Sequence, residues 1–175
     1  MAEAISLAKR LHDTQASVYL LYWSAFLAYF EGNLAETERL ASDLIEMSTR
    51  QNIATWQPHV RILRGWVRSA SGDLALGISW IEEGIEDYRA AAILALPFFL
   101  SLKARALHLA GRASEALELI EEAKAVVERS EARMWCAELH RLRGVFLAAI
   151  GANKPRSKLR SVRPSEQQKN RSRFR

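Results

Sequence analysis

Apolar residues recur along this chain at helical spacing, and the stretch Phe98–Val127 shows the pattern most plainly. Phe99, Leu102, Ala106 and Leu109 fall on one helical stripe, and Ala116, Leu119, Ile120 and Ala123 on a second. Gly111 stands between them, where a helix must stop and the chain turn tightly, which glycine does without steric cost. Neither stripe circles its helix, so a hairpin of two covers itself only in part and stacked copies supply the rest. The same pattern predicts a lone helix over Ala2–His12 and pairs over Ala16–Glu31 with Leu34–Arg50, Ile53–Ser71 with Leu74–Ala90, and Ala92–Ala110 with Ala113–Arg129. A last helix is predicted over Ala132–Ile150.

Sliding the chain on its glycines exposes a repeat. Gly32, Gly72, Gly111 and Gly151 stand 40, 39 and 40 residues apart. Seven residues before each is a small residue (Ala25, Gly65, Ala104, Gly144), and nine before is a large apolar one (Trp23, Leu63, Leu102, Leu142). Twelve before stand Leu20, Val60, Phe99 and Leu139; five after stand Thr37, Gly77 and Ala116. Pro58 and Pro97 both lie fourteen before their glycine, early in a helix where proline is tolerated. The alternative is an unrelated helical bundle, which has no reason to repeat so many columns. Leu63 and Leu102 are expected in the core beside Gly65 and Ala104, and Trp23 and Trp80 in core columns.

Small residues at the inner contact, a glycine turn and a small residue five later resemble the tetratricopeptide repeat. The unit exceeds that family's usual period of about 34 residues. The resemblance covers about Met1–Gly151 and implies an all-α superhelical solenoid of helix pairs. At Glu131–Gly144, EARMWCAELHRLRG is similar to a motif in the C-terminal repeats of large bacterial regulators. Those regulators carry an ATPase module beside an adenylate-cyclase or winged-helix DNA-binding domain, so this resemblance implies a signalling context; no such effector domain is encoded in this chain. In the repeat grammar Ala2–His12 is a second helix without its first, and Ala132–Ile150 a first helix without its second. Both ends of the 1–151 repeat domain therefore read as cut.

Composition changes the picture at the C-terminus. Lys154–Arg175 holds nine Lys/Arg against the single acid Glu166, a net of +8, whereas the whole chain is +5, leaving −3 for residues 1–153. Reading the protein as a basic nucleic-acid binder would be an error of averaging. Residues 152–175 are expected to form a basic tail, too poor in apolar residues to fold alone. Three readings of it compete: a basic arm for nucleic acid or acidic lipid, a solvated terminal tail, and translation of a displaced reading frame. A one-base displacement of codons allowed for this stretch spells an amphipathic helix close to the register of Gly151. The lone Cys136 excludes an internal disulfide and fits a reducing, cytoplasmic setting. No run reaches the roughly 18 apolar residues of a membrane span, and Glu3 ahead of a helical stripe argues against a signal peptide.

The chemistry-bearing residues point away from catalysis. His12, His59, His108 and His140 lie on separate segments, without Cys or carboxylate at metal spacing. Asp87 and the pairs Glu82/Glu83 and Glu121/Glu122 fall on polar helix faces. No phosphate-cradling glycine loop and no nucleophile elbow occur. No enzyme, cofactor or metal is expected; the expected partner is a protein or peptide. One set of columns escapes the core. By the resemblance, first helices line a concave groove through the positions thirteen, ten, six and three before each glycine. These give Tyr19, Tyr22, Phe26 and Tyr29; His59, Ile62, Trp66 and Ser69; Phe98, Ser101, Arg105 and His108; and Glu138, Arg141, Val145 and Ala148. Aromatics at one end grading to Arg and His at the other suit a peptide with apolar anchors and an acidic part. Tyr22, Phe26 and Trp66 are expected to be at least partly exposed on that face. The competing readings are a small-ligand sensor and burial of this face within a larger parent.

Overall fold

A computed structural model describes residues 2–89 and 94–152. The basic tail, with its three readings, and the expected helix start at Ala92 lie outside the described residues. The fold is all-α: α1 (Ala2–Arg10), α2 (Thr14–Phe30), α3 (Leu34–Arg50), α4 (Gln57–Ala70), α5 (Leu74–Arg89), α6 (Leu96–Leu109), α7 (Ala113–Ser130) and α8 (Cys136–Ala152). No strand occurs among the described residues. Each helix packs on its neighbours in the chain, and α6 also touches α4 and α8.

Turn chemistry sets the boundaries. Gly32, Gly72 and Gly111 adopt φ of 73°, 102° and 76°, a region open to glycine. At each, the next residue's N–H reaches back to a carbonyl near the helix end: Asn33 to Ala28, Asp73 to Arg68, and Arg112 to Leu107, at 2.9–3.0 Å. That pattern satisfies carbonyls left free at a helix end. Gly151 breaks the series, since it lies inside the last turn of α8.

Pro58 and Pro97 sit in the first turns of α4 and α6, as expected. The α-helices α4 and α8 begin about four residues later than the apolar pattern predicts, because short 3-10 turns at Ala54–Trp56 and Arg133–Trp135 precede them. Asp13 and Asn33 cap α2 and α3, accepting from the Ala16 and Glu36 amides at 2.9 and 3.1 Å.

The expected contacts around Leu63 and Leu102 close as predicted. Leu63, Leu102 and Ala104 are fully buried, and Gly65 packs against α5 with no room to spare. A methyl group on Gly65 would lie 2.6 Å from the Gly77 carbonyl oxygen and 2.7 Å from Ile81 Cγ1. The small residue seven before one turn glycine thus meets the small residue five after it, backbone to backbone. Thr37 and Ala116 are fully buried at the corresponding places.

Three expectations need correction. Leu139, Leu142 and Phe146, expected to await a missing helix, are buried at 1–3% exposure because α6 and α7 cover them. Trp23 is not in the core but 42% exposed. Its column is buried in the other units, at Leu63, Leu102 and Leu142. Trp80 is half-buried on the surface, beneath the guanidinium groups of Arg64 and Arg68 at 5.2 and 5.5 Å. No helix among the described residues is long and apolar enough to cross a membrane.

Candidate functional site

The first helices α2, α4, α6 and α8 together line a groove of about 770 Å³. Tyr29 and Phe30 come from α2, Trp66 and Ala70 from α4, Phe98, Ser101 and Arg105 from α6, and Glu138 and Arg141 from α8; Met134 and Trp135 close the end. Its walls are rings in mutual contact. Tyr29 meets Phe98 edge-on at 5.4 Å, Phe30 lies 5.9 Å from Phe98, and Trp135 tilts over Phe98 at 5.0 Å. The Trp135 indole N–H donates to the Leu94 carbonyl at 3.2 Å, which fixes that ring at the rim.

Arg105 is the polar centre. Its guanidinium lies 4.1 Å from the Trp66 ring centroid, and one of its N–H groups donates to the Tyr29 hydroxyl. It thus spends its donors on an aromatic face and a phenol rather than on a carboxylate. Burial raises the Tyr29 pKa, and the Arg105 charge works against that rise. Opposite, Arg141 holds Glu138 in a two-pronged pair at 2.6 and 2.7 Å, and those hydrogen bonds lower the carboxyl's pKa. Ser101 donates to the Phe98 carbonyl at 2.7 Å and is buried.

Of the sixteen column residues expected in the groove, it brings together Tyr29, Trp66, Phe98, Ser101, Arg105, Glu138 and Arg141. The expected exposure of Tyr22, Phe26 and Trp66 is wrong: they are 5%, 5% and 7% exposed. Each is roofed by rings or a cation from the following units: Tyr22 by Trp56 at 4.5 Å and His59 at 5.3 Å, Phe26 by Phe98 at 5.0 Å, and Trp66 by Arg105. Trp66 still presents an edge to the groove, whereas Tyr22 and Phe26 do not line it. Tyr19 is 52% exposed, near Trp23 and Trp56 and outside the groove. His59 sits among Tyr88, Phe99 and Tyr22, and burial holds its pKa down to about 4, so the ring is neutral. His108 packs on Phe146 at 4.9 Å, away from the groove.

Sequence reasoning missed Phe30, Met134 and Trp135, which form much of the rim. A signal for Trp135 existed. It stands 79 residues after Trp56, two repeat periods, and both end a 3-10 turn leading into a first helix. Among the described residues no group of three or more His, Cys, Asp or Glu is placed to hold a metal ion.

Comparison with known proteins adds length more than chemistry. No protein-family model matches this chain, and no solved structure does. It is similar to an uncharacterized protein of Rhizobium meliloti (strain 1021), 24% identical over 155 residues. That alignment takes in 88% of this chain and only 15% of the relative.

Proposed function

We propose that this chain is a tetratricopeptide-like α-α solenoid whose concave face receives a peptide. The proposed ligand carries an aromatic or branched apolar anchor beside a carboxylate. The observation that carries this reading is Arg105, held over Trp66 and bonded to Tyr29 in a ring-lined groove that all four first helices share. An arginine whose neighbours are rings offers its remaining donors to an anion, and the rings offer low-entropy apolar contact to the adjoining side chain. The rim residues Phe30 and Met134 are 60% and 72% exposed, so the groove is wide at the mouth, which suits an extended chain. Its size also falls inside the roughly 300–1,000 Å³ of small-molecule sites, which favours a small aromatic acid as the second reading. The signalling context proposed for it rests on the resemblance of Glu131–Gly144 to regulator repeats, and the great length of the Rhizobium relative agrees with that setting.

The test is binding of a peptide library, arrayed by anchor and charge, read by calorimetry. Peptides pairing an aromatic or leucine anchor with a carboxylate should bind, and Arg105→Ala should weaken them about ten- to a hundred-fold, as for loss of a charged hydrogen bond. Equal binding of basic peptides, or an Arg105→Ala variant that binds as the parent does, would exclude the reading. Free aromatic acids binding as tightly as the peptides would establish the second one.

A further inference from the structure

The groove offers two kinds of contact, and each is held in place from behind. At one end the buried Phe98 ring carries two others, Phe30 at 5.9 Å and Trp135 at 5.0 Å. Among the described residues no ring contact joins Phe30 to Trp135, and both line the groove. Phe30 is braced by Tyr29 at 5.1 Å and Phe26 at 5.9 Å, and Trp135 by its bond to the Leu94 carbonyl. Neither ring has to be ordered by a ligand, which removes one cost of binding. The exposed thioether of Met134 adjoins them. An aliphatic anchor gains only buried area here, whereas a flat ring also gains edge and face contacts with two rings and a sulfur contact. At the other end the two cations differ. Arg141 is spent on both oxygens of Glu138, at 2.6 and 2.7 Å. Arg105 forms no ion pair among the described residues; its contacts are the Trp66 ring and the Tyr29 hydroxyl.

Helical rise sets the distance between the two ends. Phe98 and Arg105 stand seven residues apart on α6, two turns or about 10 Å along its axis. Tyr29 spans the interval, with its ring 5.4 Å from the Phe98 ring and 5.9 Å from the Arg105 guanidinium carbon. A polyproline-type segment rises about 3.1 Å per residue with three residues per turn, so its residues i and i+3 share a side about 9 Å apart. A stretched strand instead returns to the same side every second residue, about 7 Å on, which falls short. Resting on the peptide reading above, we infer that the groove reads an aromatic residue and an Asp or Glu three positions apart in a polyproline-type segment. The ring enters between Phe30 and Trp135, and the carboxylate takes the free donors of Arg105. One acid suffices, because Glu138 already neutralises Arg141.

Calorimetry of the full chain with short peptides, capped at both ends, tests this. Each peptide carries one Phe and one Glu in a Ser/Pro background, at separations from one to about five positions and in both chain orders. In at least one order a separation of three should bind about tenfold tighter than a separation of one or five. Replacing Phe by cyclohexylalanine, which is as apolar but has no π face, should weaken that peptide about three- to tenfold. Phe30→Ala, at an exposed side chain, should shrink the difference between the two anchors. Arg105→Ala should abolish the spacing preference, and Arg141→Ala should leave it in place. Should Arg105→Ala melt well below the parent, Arg105→Met keeps an apolar stem over Trp66 and replaces it. Binding that needs Arg105 yet ignores spacing, or that treats cyclohexylalanine as Phe, overturns this inference and leaves the groove reading standing. A spacing preference lost in Arg141→Ala and kept in Arg105→Ala overturns it as well. Absence of binding by every peptide overturns both.

Discussion

At the scale of single residues, the environment decides what a repeated residue type does. Gly65 and Gly144 occupy the same column, seven before their turn glycines, yet only Gly65 has α5 pressed on it. Gly65→Ala should destabilise by about 1–3 kcal/mol or more, since the methyl meets backbone that cannot give way. Gly144→Ala, in mid-helix and facing open space, should instead stabilise by about 0.5–1 kcal/mol by relieving the entropic cost of glycine. Thermal melts of the two variants should move in opposite directions; a like sign would mean the register is wrong. His59 illustrates the same dependence through charge. Burial holds its pKa at about 4 against an ordinary 6.5. Between those values the unfolded chain binds a proton that the folded chain does not. This contribution to stability is therefore complete above pH 6.5 and is lost as pH falls toward 4. His59→Gln should flatten that part of a melting-temperature profile, and an unchanged acid slope in the variant would count against the burial argument.

At the scale of elements, the turns at the two ends of each hairpin use different chemistry. Those after first helices place glycine at positive φ, and the regular glycine spacing makes them legible in the chain itself. Those after second helices place His12, Asn52 and Glu131 there, at φ of 53°, 54° and 55°. The first two stand 40 residues apart and the last two 79, the same period written in residues that carry no common signal. A non-glycine residue in this region gives up roughly 1–2 kcal/mol, less what glycine would lose in entropy. Glu131→Gly should accordingly raise stability by about 0.5–1 kcal/mol, and Gly111→Ala, with open space around it but φ of 76°, should lower it by a similar amount. Denaturant midpoints of the two variants, measured side by side, check the pair. The helix starts were legible only to within a turn, because the 3-10 segments before α4 and α8 continue the apolar pattern while changing the backbone.

At the scale of the whole molecule, the sequence by itself determined the helical class, the hairpin order, three of the four glycine turns and the small-residue contacts at Gly65 and Ala104. Those features follow from local periodicity and from backbone geometry that only a few residue types accept, and both are written directly in the chain. Seven of the sixteen column residues expected in the groove were also legible, since repeat columns place Tyr29, Trp66, Phe98, Ser101, Arg105, Glu138 and Arg141 on one side of their helices. Only tertiary structure decided which ring in a column is covered. Phe26 and Trp66 share a column with Arg105 and Val145, but a following unit roofs the first two and nothing among the described residues roofs Val145. Trp23 shares a column with three buried leucines and is itself 42% exposed. Exposure is a property of neighbours, and a column of a repeat does not say where the array stops. The groove rim at Phe30, Met134 and Trp135 was hidden for the same reason: its residues meet across separate units, and their proximity depends on how the units stack.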